Sequence, residues 1–298
     1  MNTNDRRRGT LYGLAVGDAL GAPVEFLPRE NFEPVTDYRA GGFFNLESGQ
    51  WTDDTSTALA LATSIGKGWN VKDQLDEYVE WYLRGKHSIT GKCFDIGETT
   101  LHALVNYRKT GQVVANRWSA SNGCIMRLAP VPIKFHDLYP NDVDKLAEYA
   151  DESAKTTHNE PRCRSACRYM AVAIAALING ESREKVLDPN WEVLDQLYLL
   201  YDVKEVVQGS YRTKSPDQIR GGGSVISCLE AALWAFHNAN SFEEAVLRAV
   251  NLGDNADTTG AVCGQFAGAY WGESGIPERF LAGLDRKDMI EEAFNLIK

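Results

Sequence analysis

No run of apolar residues in this sequence is long enough to span a bilayer, so a membrane helix is excluded and no membrane partner is expected. No segment alternates apolar and polar residues over five or more positions, which leaves strands without support. Six cysteines are spread over 298 residues with no CxxC pair, so neither a disulfide scaffold nor a zinc ribbon is expected. Cys163 and Cys167 would share a helix face, but no matching pair of Cys or His stands nearby, and they read as small core residues. Positive charge is the scarcer sign: 31 Lys and Arg stand against 41 Asp and Glu, a net of −10. The one dense basic cluster, Arg6-Arg7-Arg8, is short, and a nucleic-acid partner is therefore not expected. The segment behind it, Gly9 to Gly17, is rich in glycine and is closed by Asp18. No signal peptide is expected there, and a cytoplasmic protein is expected. Internal repeats, low-complexity tracts and linkers are also missing.

Helical periodicity is abundant. Cys163, Ala166, Cys167, Met170, Ala171, Ile174, Leu177 and Ile178 recur at three- and four-residue spacing, one apolar stripe from Pro161 to a stop at Gly180. Further helices are expected over Asp53–Ile65, Val71–Arg84, Asp95–Lys109, Asn141–Lys155, Asp188–Val207, Val225–Ala239, Ser241–Leu252 and Asp257–Trp271. Ser241 and Glu244 have the spacing of a capping box. In the first helix Gly9, Gly13, Gly17 and Gly21 fall on one face, each weakening the helix by roughly 1 kcal/mol against alanine. Close approach of a neighbouring backbone is the simplest compensation, and it is compatible with holding Asp18 and Glu25 near a pocket. The expectation is one compact all-α domain spanning residues 1–298.

Two segments carry oxygen-rich chemistry. Thr52-Asp53-Asp54-Thr55 stands where a loop enters a helix, and Asp254-Asn255-Ala256-Asp257-Thr258 does the same two hundred residues later. Each could simply cap its helix. One capping residue does not explain two adjacent carboxylates flanked by threonines. Hard cations such as Mg2+ and Mn2+ take several oxygen ligands, and two such entries meeting in space, with Glu25 added, would make a bridged two-metal site.

The motifs, taken in order, resemble the ADP-ribosylglycohydrolases. They are Gly13 to Phe26, Gln50 to Thr55, Phe94 to Thr100, Ser121 to Pro130, Thr156 to Pro161, Gly222 to Ile226 and Asn251 to Ala261, which together cover nearly the whole chain. The resemblance implies an all-α fold around a central dimetal cleft holding two divalent cations, Mg2+ or Mn2+. It assigns Thr52, Asp53, Asp54 and Asp257 to one ion, and Asp257, Thr258 and Glu25 to a second. Ser119, Ser121, Asn122 and Gly123 become the loop for diphosphate and ribose, which suits backbone N–H groups facing an anion. His158 becomes a ligand contact, and Gly223, Ser224, Val225 and Ile226 the adenosine-side helix start. Read without the resemblance, Ser121-Asn122-Gly123 is a turn, His158 a capping or core histidine, and the glycines at 221–223 a flexible joint.

Where the family has Asp-x-Asp-Thr, this chain has Asn255-Ala256-Asp257-Thr258. Asn255 is expected to offer the second metal a neutral carbonyl oxygen. The implied reaction is metal-dependent hydrolysis at C1″ of mono-ADP-ribose on a protein side chain, most readily arginine, by a metal-activated water. Asp53 and Asp54 are needed for it, and Asp95 is the candidate for proton transfer, unless it only caps the helix that follows. The segment Lys86–Lys92 is expected at the entrance. The expected form is a monomer that acts on an ADP-ribosylated protein and releases ADP-ribose. The alternative is a silent ADP-ribose-binding or structural member of the same fold.

Overall fold

A glycine-lined contact between two long helices organises the molecule. The computed structural model describes residues 1–113 and 117–298. Among the described residues there are fourteen α-helices and no sheet, only three isolated bridges. They are α1 (Thr3–Gly21), α2 (Asp53–Gly66), α3 (Val71–Arg84), α4 (Glu98–Thr110), α5 (Pro130–Lys134), α6 (Val143–Lys155) and α7 (Pro161–Ile178). Then come α8 (Arg183–Val186), α9 (Tyr201–Val207), α10 (Val225–His237), α11 (Phe242–Val250), α12 (Ala256–Trp271), α13 (Glu278–Gly283) and α14 (Lys287–Ile297).

The glycine stripe of α1 meets a second stripe on α12. A Cβ on Gly13 would stand 2.2 Å from the Gly264 carbonyl oxygen, and one on Gly17 would stand 2.1 Å from that of Gly260. One on Gly21 would meet the Asp257 backbone at 2.4 Å. No side chain larger than hydrogen fits there, so the two backbones touch along their lengths. The consequence for the site is direct: the end of α1, which carries Asp18 and leads to Glu25, is held against the first turn of α12, which carries Asp257. Helix α7 is buried on every side from Ala171 to Ile178, and the apolar side chains of these helices join one continuous core.

Three local expectations are revised. The helix expected from Asp95 starts at Glu98, with Gly97 as its N-cap; Asp95 lies outside it at φ 59° and does not cap it. The helix expected over Asp188–Val207 is broken. Pro189 follows Asp188, whose Oδ1 accepts from the Asn190 N–H at 2.8 Å, and the turn this makes leaves only a 3-10 segment (Glu192–Gln196) before α9. At α11 the Ser241 hydroxyl accepts from Glu244 N–H at 3.1 Å, but the Glu244 carboxylate returns to Asn240 N–H at 2.8 Å, one residue before the expected box partner. No helix of the described chain is long and apolar enough to cross a membrane. The six cysteines are free, five of them buried.

Candidate active site

The acidic segments meet. Helix α2 presents Asp53 and Asp54 in its first turn and α12 presents Asp257 and Thr258 in its own, where the positive helix ends favour carboxylates. Thr52 Oγ1 lies 3.4 Å from Asp257 Oδ2, and Thr258 Oγ1 lies 3.3 Å from Asp54 Oδ2, so each threonine reaches the other segment's acid.

Thr52 stands at the N-cap of α2, yet its side chain makes no capping bond. Asp18 of α1 does that work from 34 residues away. Its Oδ1 accepts from Thr52 N–H and Oγ1, both at 2.9 Å, and its Oδ2 accepts from Thr55 N–H at 2.9 Å and Oγ1 at 2.6 Å. The Thr52 hydroxyl so held also lies 3.5 Å from Asp54 Oδ2 and 3.4 Å from Asp257 Oδ2. Asp18 was noticed in the sequence only as a neighbour of the pocket, because a helix cap is ordinarily sought next to its helix.

Asp95 enters from the loop before α4. One oxygen each of Glu25, Asp95 and Asp257 lie within 4.8 Å of one another. Burial, then repulsion from neighbouring carboxylates, lifts these acids out of their ordinary range: Asp257 to about 7, Asp95 to about 9 and Glu25 to about 12. Asp53 and Asp54 are raised well above normal for the same reasons. Asp18 reaches only about 6, since burial is opposed by the bonds it accepts from Thr52 and Thr55.

The cluster fits divalent cations. Glu25 Oε2, Asp54 Oδ1 and Asp95 Oδ2 are buried oxygens without a hydrogen-bond partner. No Lys or Arg stands among the residues lining the cleft above them. Buried carboxylates so arranged need either protons or a cation, and the hard oxygen donors suit Mg2+ or Mn2+.

The cleft has a volume of about 460 Å3. Its lining brings the acidic set, Glu25, Phe26, Asp53, Asp95, Asp257 and Thr258, together with Ser119, Ser121, Asn122, Gly123, His158 and Gly223, and Asn255 touches both through Glu25 and Asn122. Thr52 and Asp54 lie beneath this lining, and Ser224, Val225 and Ile226 begin α10 behind Gly223. The two ligand-loop candidates are stitched together: Asn122 N–H donates to Gly223 O at 3.1 Å and Val225 N–H to Ala120 O at 2.8 Å. The expected entrance segment, 86–92, contributes no lining residue; its Lys86 and His87 are tied to Glu77 of α3.

A buried hydrogen-bond chain sets His158. Arg127 donates from Nη2 to Thr157 Oγ1 at 2.5 Å, and the Thr157 hydroxyl reaches His158 Nδ1 at 2.7 Å. That assigns the ring proton to Nε2, which donates to Ser121 Oγ at 3.0 Å. Burial lowers the His158 pKa to about 4, so the ring is neutral near pH 7. The Ser121 hydroxyl passes on to Thr99 Oγ1 at 3.0 Å, which lies 2.7 Å from Ser119 Oγ. A Cβ on Gly123 would come within 2.9 Å of the His158 ring, so glycine lets the loop lie on it. Thr99 carries no signal of its own in the sequence beyond its place within the Phe94 to Thr100 motif.

Asn255 does not offer its oxygen to the carboxylates. Its Oδ1 accepts from Asn122 Nδ2 at 2.5 Å, and its Nδ2 lies 3.4 Å from Glu25 Oε1 and 3.5 Å from Asp257 Oδ1.

With this geometry in hand, comparison with known proteins is decisive. The family model described as ADP-ribosylglycohydrolase matches residues 1–298. The chain belongs to the ADP-ribosylglycohydrolase family. It is an enzyme of that hydrolytic class. It is 40% identical over 291 residues to the ADP-ribosylarginine hydrolase Tri1 of Serratia proteamaculans (strain 568), covering 96% of this chain and 77% of that protein. It is 29% identical to the ADP-ribosyl-[dinitrogen reductase] glycohydrolase of Rhodospirillum rubrum, covering 96% and 92%. A solved structure described as an ADP-ribosylglycohydrolase-related protein complex superposes with a TM-score of 0.87 at 38% identity, covering 99% of this chain and 98% of that one. The all-α architecture expected from the sequence is thus that of the ADP-ribosylglycohydrolases.

Proposed function

We propose that this chain removes mono-ADP-ribose from arginine side chains of proteins, with two divalent cations, Mg2+ or Mn2+, among the carboxylates of the cleft. The observation that carries the reading is the meeting of Glu25, Asp53, Asp95, Asp257 and Thr258, with Thr52 and Asp54 beneath them, in a cleft that is also lined by a loop of small polar residues. The name of the 40% identical Serratia protein supports the arginine linkage.

Thr52, Asp53, Asp54 and Asp257 would hold one ion, and Asp257, Thr258 and Glu25 the other. Bound there, the ions supply positive charge for ribose hydroxyls and lower the pKa of a water. The chain's own residues do the rest. The loop 119–123 and the start of α10 receive the diphosphate with the helix N-terminus and the backbone N–H groups not spent on the Asn122–Gly223 and Val225–Ala120 bonds, which would account for an anion site without lysine or arginine. Neutral His158, donating from Nε2, fixes the Ser121 hydroxyl against the ligand. Asp95, held beside Glu25 and acting in its ionised form, accepts a proton from water as it adds to C1″, the bond to the guanidine nitrogen breaks through an oxocarbenium-like state, and Asp95 returns that proton to the departing guanidine. The guanidine leaves as the protonated arginine side chain.

Asn255 favours one second reading. With its amide N–H2 turned to Glu25, it occupies a position where the family pattern supplies a carboxylate, and a silent ADP-ribose-binding protein would tolerate that change. Assays of ADP-ribose release from arginine-, serine- and glutamate-linked peptides, with Mg2+, Mn2+ or neither, separate the readings. Metal-dependent release from the arginine-linked peptide supports the enzyme proposed here. Binding of ADP-ribose without release from any linkage would favour the silent protein.

A further inference from the structure

One phenylalanine, Phe26, lines the cleft, and it belongs to a cluster of four. It stands directly after Glu25, and Phe94, directly before Asp95, packs at the far end of the same aromatic cluster. Phe43 and Phe44 fill the gap between them. Ring centroids are 5.2 Å apart for Phe26 and Phe43, 5.1 Å for Phe43 and Phe44, and 5.2 Å for Phe44 and Phe94. The first two pairs are edge to face. Such a ladder is mutually supporting. It is also exposed where burial would be expected: Phe26 is 53% and Phe43 72% accessible.

Phe26 is held in place at some strain. Its φ is 63°, a left-handed conformation that a bulky side chain rarely adopts. Its N–H donates to Asp254 O at 2.7 Å, which pins that conformation to the turn leading into α12. Strain kept at the rim of a site, for an exposed ring that adds nothing to the core, points to a ligand contact.

The chemistry of the occupant follows from its neighbours. Five carboxylates, on Glu25, Asp53, Asp95, Glu98 and Asp257, line the cleft with no Lys or Arg among them. No side-chain cation competes for this part of the cleft, and an exposed aromatic face at its edge suits a flat, delocalised cation. We infer that Phe26 and Phe43 form a shelf that receives the guanidinium and aliphatic stem of the target arginine, and that this shelf selects arginine-linked over hydroxyl- or carboxyl-linked ADP-ribose. The inference rests on the proposed hydrolysis of arginine-linked ADP-ribose and adds the residues that recognise the leaving side chain. The shelf touches the protein side chain and not ADP-ribose, so its loss should be felt by the modified peptide alone.

The test compares the unaltered protein with Phe26→Leu, Phe43→Leu, the double variant and Phe26→Trp, all with Mg2+ present. Leucine keeps apolar bulk and removes the π face; tryptophan keeps it. Release of ADP-ribose from an arginine-linked peptide is measured beside calorimetric binding of free ADP-ribose. The expected result is a kcat/KM about tenfold lower in the double leucine variant, carried by KM, near-normal values in Phe26→Trp, and unchanged ADP-ribose affinity in all. An unaltered kcat/KM in the double leucine variant, with normal ADP-ribose binding, would overturn the shelf and leave the hydrolase reading standing. Failure of the unaltered protein to act on arginine-linked peptide while it acts on another linkage would overturn both.

Discussion

The side-chain amide of Asn122 donates to the side-chain oxygen of Asn255 at 2.5 Å, and this bond turns the Asn255 N–H2 toward Glu25. The loop proposed for the diphosphate is therefore wired to the carboxylates proposed for the metals through one amide. Asn255→Asp would keep an acceptor for Asn122 but replace the donor facing Glu25 with negative charge. Calorimetric titration should show Mn2+ bound at least tenfold more tightly, about 1.4 kcal/mol. The metal-free variant should melt at a lower temperature than the parent, because the added carboxylate has no cation to face. Equal metal affinity would show that residue 255 acts on the loop alone.

Asp18→Asn replaces one of two acceptor oxygens that together serve four donors on Thr52 and Thr55. An amide has one oxygen to offer, so part of the first turn of α2 loses its cap. The expected loss is about 1–3 kcal/mol of stability, read by chemical denaturation. Metal binding should weaken with it, since Thr52 is no longer oriented. If the variant is as stable as the parent, the cap across 34 residues contributes nothing.

Stability against pH has a definite sign. Asp257, Asp95 and Glu25 titrate higher in the folded chain than the usual carboxylate near 4, to about 7, about 9 and about 12. Between the unfolded and folded values the folded state binds more protons, so metal-free stability falls as pH rises from about 4 toward 9. Saturating Mg2+ should flatten or reverse that slope. Thermal melts at pH 5 and pH 9, with and without Mg2+, measure it, and a metal-free protein more stable at pH 9 would contradict the picture of an uncompensated acidic cluster.

Asp95→Asn should lower kcat far more than it weakens ADP-ribose binding. The helix-capping alternative, under which asparagine would substitute freely, no longer applies, because α4 begins at Glu98 and Gly97 holds the cap position. A normal kcat would remove Asp95 from the proton-transfer role.

Much of this was readable before any coordinates. The four-residue glycine spacing of α1 announces a backbone contact, and Thr52-Asp53-Asp54 and Asp257-Thr258 announce two oxygen-rich helix entries. Long-range pairings were not readable. Asp18 caps a helix 34 residues away, and nothing local to either segment shows it. The direction of the Asn255 amide is set by Asn122, 133 residues away, so the sequence could suggest a carbonyl ligand where the structure presents a donor. The capping alternative for Asp95 stays open in the sequence because acid before a helix is usually a cap, and a positive φ is invisible in a single sequence. The tautomer of His158 depends on Arg127 through Thr157, a chain of three side chains that only the fold assembles.

The most direct test of the account is ADP-ribose release from an arginine-linked peptide by the parent, Asp53→Ala and Asp54→Ala proteins, each stripped of metal and then supplied with Mg2+ or Mn2+. The account predicts no release from the stripped parent, recovery on adding either ion, and a loss of several orders of magnitude in both variants while their folds persist. Full activity of the stripped parent in excess chelator, or normal turnover by both variants, would contradict it.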